Sequence, residues 1–202
     1  MFRVSPVHPS QLIKKWVSWP IIKKRLHRLG DVKAKLISFE KSNLIALIKD
    51  LYASNADNKN FLHARLEIGV DVLQPYKFLI ERWISPDVYK GQTYSISKAK
   101  KPISDYNKAA GQPEGVAELA IFYCENAISF SNEFGVDDDS YYSALCLMFF
   151  QALDAVMLLP NNQREDFIDR LHNIMMSARD FGWGVYDECK EEWKKAGLEL
   201  DD

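Results

Sequence analysis

Apolar residues recur every three or four positions along most of this chain, and the strict alternation of a half-buried strand is not sustained, so the pattern predicts helix after helix. In "LIKKWVSWPIIKKRLHRLG" Leu12, Ile13, Trp16 and Val17 share one face with Lys14, Lys15 and Ser18 opposite, until Pro20 interrupts the pattern. Ile21, Ile22, Leu26 and Leu29 form a second stripe, which Gly30 is expected to end. The run "SFEKSNLIALIKDLYASNADNKNFLHARL" reads as a helical hairpin capped at Ser54 or Asn55. Its first helix is expected to bury Leu44, Ile45, Ile48, Leu51 and Tyr52, and its second Phe61, Leu62, Arg65 and Leu66.

Leu79, Ile80, Trp83 and Ile84 mark a further helix, followed by "SPDVYKGQTY", whose Pro86 and Gly91 signal a loop where any subdivision of the body is expected. Ile96, Ala99, Ile103, Tyr106 and Ala110 then keep helical spacing, with Pro102 either opening or kinking that helix. Val116 to Ile128 form another face, with Pro113 in its first turn and Gly135 at its end. The nineteen residues before Pro160 are apolar all round except Ser143, Gln151 and Asp154, which predicts a helix packed on several sides. A membrane span is the rival reading, but Asp154 near its middle would cost roughly 2.5 to 3.5 kcal/mol there, and acids 137–139 flank one end.

The last two helices run through Phe167, Leu171 and Ala178 and through Tyr186, Cys189 and Trp193, with "GWG" at 182–184 between them. Gly-Trp-Gly is too short to cradle a phosphate and lacks the amides such a loop needs, so it reads as a joint. The fold expected is all-α, with about seven or eight helices packed as antiparallel hairpins or a short helical stack.

At 202 residues and 47% hydrophobic, the chain can bury a sizeable core without metal or disulfide staples. Cys124, Cys146 and Cys189 are odd in number and far apart, so they read as core residues in a reducing, cytoplasmic setting. Net charge is only -2, but residues 1–36 hold nine basic residues against Asp31 alone, leaving the remainder strongly acidic. The first apolar run is broken by Pro6, Pro9 and paired lysines, so it does not read as a secretory signal. The chain thus divides, on this reading, into a basic amphipathic arm over 1–36 and a helical domain over 37–199.

The segments "LIALIKDLYASNADNKNFLHARL", "KPISDYNKAAG", "FSNEFGVDDDSYYSAL" and "ARDFGWGVYD" together resemble a family of small all-helical bacterial proteins known only as a domain of unknown function. The likeness runs over residues 38 to 190, and residues 1 to 36 depart from it. It implies a helical domain of that kind and brings with it no cofactor, catalytic residue or mechanism.

Chemistry is sparse. His8, His27, His63 and His172 stand apart from one another, with no metal-ligand spacing, and "DDD" at 137–139 suits a helix cap better than a calcium loop. Neither a nucleophile motif nor a nucleotide-binding glycine pattern occurs, so no catalytic residue, metal or cofactor is assigned. Three side chains remain as pocket candidates: Arg65, Tyr106 and Asp154, the last expected to pair with Arg170 or Arg179. The function expected is that of a non-enzymatic interaction or scaffold protein, with a small-ligand binder or enzyme built between helices as the alternative. Trp16, Lys23, Lys24, Arg25 and Arg28 are the candidate interaction residues of the arm. Through residues 9–35 it can dock on the acidic body, meet an anionic membrane surface or bind nucleic acid, while the partner of the domain is expected to be protein.

Overall fold

The computed structural model describes residues 29–199. The described residues form nine α-helices and two short 3₁₀ turns joined by loops, with no strand among them, so the all-α class read from the pattern is the fold observed. The helices are α1 (Leu29–Ile37), α2 (Lys41–Ser54), α3 (Ala56–Leu66), α4 (Gln74–Ile84), α5 (Ile96–Ala109), α6 (Pro113–Phe134), α7 (Asp139–Met157), α8 (Glu165–Ser177) and α9 (Val185–Lys195). The chain divides into two compact units, residues 1–47 and 48–202, with the boundary inside α2.

In the first unit the described residues form α1 and the start of α2. Asp31 near the start of α1 and Lys35 near its end match the helix dipole, and the Ser38 hydroxyl donates to Lys35 O at 2.8 Å where the helix stops. Gly30 was expected to end a helix, yet it lies in the first turn of α1. The residue needs no left-handed backbone there, so glycine confers no stopping signal.

The second unit is built on α6 and α7, which a short loop folds back on each other. The α4–α5 pair packs on α6, α3 packs on α5, and α8 and α9 pack on α6 and α7. Tyr123, Tyr141, Phe149, Leu119, Leu145, Leu153 and Leu171 are fully buried at the centre. Helix α7 is the one described helix long and apolar enough to cross a membrane, and 61% of that stretch is buried inside the protein. It is therefore the central core helix. Cys124, Cys146 and Cys189 are free and buried, and burial pushes the Cys124 thiol well above its ordinary pKa.

Several local devices follow the pattern. Asn55 caps α3 by accepting from Asn58 N at 2.8 Å, and Asp138 caps α7 by accepting from Ser140 N at 2.9 Å. Pro113 opens α6, Gly135 closes it, and Pro102 lies inside α5. Gly115 has a different reason: a Cβ there would overlap the Tyr106 phenol, so only glycine lets α5 and α6 approach at this point. Gly182 and Gly184 adopt left-handed backbone with φ of 83° and 75°, making "GWG" the joint between α8 and α9. Trp183 stacks on Tyr142 of α7 with ring centroids 5.2 Å apart.

The strongest polar tie joins three helices. Glu118 of α6 accepts from Lys77 of α4 and from Arg170 of α8, each at 2.5 Å, while Arg170 also grips Glu125 at 2.7 and 2.9 Å. Burial pushes the Glu118 pKa upward, but the hydrogen bonds from Arg170 and Lys77 outweigh it and hold the carboxyl below its ordinary value.

Candidate functional site

Two features of residues 48–109 stand out from this well-packed frame. The first is an apolar face that no described element covers fully. Helix α2 carries its apolar stripe as the spacing requires, yet it has no buried residue at all. Ile48 is 46% exposed and Leu51 45%, against the expectation that this stripe is core. In α3 only Ala64 is fully buried and Leu62 is half-buried, while Phe61 is 40% exposed and Leu66 59%, so the second expected face is covered only in part, where α3 packs on α5. Ile68, Val70 and Phe78, just beyond, are exposed as well. The misreading has one cause: spacing reports which side of a helix is apolar and says nothing of whether another element lies against it.

The α2–α3 turn is nonetheless firmly built. The Asn58 amide donates to Leu51 O at 2.8 Å and to Ser54 Oγ at 2.9 Å, and Tyr52 Oη meets His63 Nε2 at 3.1 Å. Arg65 anchors α3 to the end of α5 by donating to the carbonyls of Ala109 and Lys108, the second at 2.7 Å. These carbonyls are the unsatisfied acceptors of a helix C-terminus, and a guanidinium supplies both donors at once.

The second feature is a cleft of about 200 Å³ between α3, α4 and α5. Its apolar wall is Phe61, Leu79 and Pro102, and its polar rim is Asp57, Asn60, Lys101, Asp105 and Lys108, with Tyr76 also lining it. Lys101 Nζ lies 3.1 Å from Asp57 Oδ2 and 2.5 Å from Asp105 Oδ2, and Lys108 Nζ lies 3.7 Å from Asp105 Oδ1. Tyr76 is only 3% exposed as a residue; its hydroxyl has no protein hydrogen-bond partner among the described residues and opens on the cleft rather than being sealed in the core. Burial first, then the charge of Asp105, raises the Tyr76 pKa to about 12, which keeps the phenol protonated and able to donate.

The three pocket candidates do not converge. Arg65 clamps the end of α5 and has its guanidinium over the Phe61 ring at 5.3 Å, behind the cleft wall. Tyr106 is buried against Gly115 and meets the Tyr76 ring edge-on at 5.5 Å, so it supports a lining residue without reaching the cavity. Asp154 is exposed on α7, and the pairing expected for it is not formed: Arg170 is committed to Glu118 and Glu125, and Arg179 reaches Tyr186. No group of three or more potential metal ligands occurs among the described residues. No family model matches the chain, and no curated protein or solved structure matches it either. Of the arm residues, Trp16, Lys23, Lys24, Arg25 and Arg28 lie outside the described residues.

Sequence reasoning missed Tyr76, Asp57, Lys101 and Asp105. Asp57 and Lys101 lie 44 positions apart and meet only because α3 packs on α5. One signal was available: Lys101 and Asp105 are four apart on one helix, the spacing that brings side chains together.

Proposed function

We propose that this chain is a non-enzymatic protein-interaction module of the cytoplasm, whose α2 stripe engages an amphipathic helix of a partner protein. One observation carries the reading: a helix of 14 residues with a complete apolar stripe has no fully buried residue, while α6 and α7 of the second unit are closely packed. Exposed apolar surface of this kind is costly in water and marks interaction sites. Ile48, Leu51 and Tyr52 recur at the three- and four-residue steps by which one helix anchors another. Three buried cysteines suit a reducing compartment. Membership of the bacterial family of helical domains of unknown function belongs to the same proposal and rests on the four quoted segments.

A photo-crosslinking amino acid at Leu51, compared with one at exposed Glu133 on α6, tests this. A discrete adduct to one protein from Leu51 and none from Glu133 supports the reading. Equal labelling from both positions, or a product containing only a second copy of this chain, overturns it.

A further inference from the structure

We propose that the cleft between α3, α4 and α5 binds a small zwitterion of amino-acid type, an α-ammonium carboxylate with an apolar side chain. This is independent of the interaction reading above, because it rests on the cavity and not on the α2 stripe.

Size limits the ligand first. At about 200 Å³ the cavity is below the roughly 300 Å³ at which drug-sized sites begin, so it suits a compact metabolite. Charge limits it next. The rim holds two carboxylates, Asp57 and Asp105, and two ammonium groups, Lys101 and Lys108, so neither a bare anion nor a bare cation meets a single-sign surface. A molecule bearing both charges a short distance apart does match such a rim.

Unused bonding capacity then orients it. Lys101 spends donors on Asp57 and Asp105, whereas Lys108 has only the 3.7 Å approach to Asp105 and keeps donors for a carboxylate. Asp57 is engaged through Oδ2, which leaves its second oxygen for an ammonium. The Asn60 amide makes no hydrogen bond among the described residues and lies on the same rim. Tyr76 adds a further donor: its hydroxyl has no protein partner among the described residues and is open to the cavity it lines. The apolar wall of Phe61, Leu79 and Pro102 receives the side chain and excludes ligands that have none.

Calorimetric titration of the full chain tests this with L-leucine and L-phenylalanine, against N-acetyl-L-phenylalanine, 2-phenylethylamine and glycine. Saturable binding of leucine or phenylalanine at millimolar concentration or below is expected, with each analogue weaker by about tenfold or more. Asp105→Asn and Tyr76→Phe should each weaken the preferred amino acid by about tenfold. Because Asp105 also holds Lys101, the variant Asn60→Ala is included: it breaks no bond in the fold and should weaken binding by about threefold with an unchanged melting temperature. No saturable binding of either amino acid at millimolar concentration overturns the proposal. So does equal binding of the acetylated or decarboxylated analogue, or of Asn60→Ala with Tyr76→Phe.

Discussion

Helices α2 and α7 begin from similar information and meet opposite fates. Both have apolar residues at helical spacing and a polar start, but α7 buries eleven of its nineteen residues and α2 buries none of fourteen. The difference lies outside the helices. Helix α7 is met by α6, α8 and α9, each with an apolar face of its own. Helix α2 has no element laid along its stripe among the described residues and is tied to α3 through its last turn. An apolar stripe is therefore an offer of contact, which the fold accepts at α7 and leaves standing at α2.

Substitutions sharpen the contrast, from the centre outward. Phe149→Ala in α7 removes a fully buried ring and should cost about 3 to 5 kcal/mol, read as a shift in denaturant midpoint. Gly115→Ala forces a methyl against the Tyr106 phenol where α5 meets α6, and should cost about 1 to 3 kcal/mol by the same measurement. Glu118→Gln weakens the Lys77–Glu118–Arg170 tie at a mostly buried position and should cost about 1 to 2 kcal/mol near neutral pH. At the far end of the scale, Ile48→Ser and Leu51→Ser should each cost less than about 1 kcal/mol, because both side chains are about half exposed and neither is part of the buried core.

The Glu118 variant also carries a pH signature. Its folded pKa lies below the ordinary glutamate value of 4.5, so the unfolded chain takes up the proton first as acid is added. The stabilisation is fully present above pH 4.5 and is lost as pH falls through the lower folded value. Thermal melts across that window should fall more steeply for the native protein than for Glu118→Gln, and parallel slopes would refute the assignment.

Much of the fold was legible because its determinants are local. Asn55, Asp138, Pro113 and Gly135 sit where caps and helix starts demand them, and Gly182 with Gly184 marks a joint by the conformation glycine permits. Long-range partnership was not legible. Asp154 had two arginines available in the sequence and pairs with neither, since Arg170 faces Glu118 and Glu125 from α6. The cleft was hidden for the same reason, as Asp57, Tyr76 and Lys101 come from three helices whose packing no spacing rule encodes. Gly30 erred the other way: a residue able to end a helix is not thereby required to do so.

The double variant Ile48→Asp/Leu51→Asp tests the central claim most directly, with melting temperature and affinity for the crosslinked partner measured on the same preparation. The account predicts an unchanged or slightly raised melting temperature together with loss of binding by about a hundredfold or more. A fall in melting temperature of several degrees would make the stripe part of the core, and retained affinity would place the interaction elsewhere; either result contradicts the account.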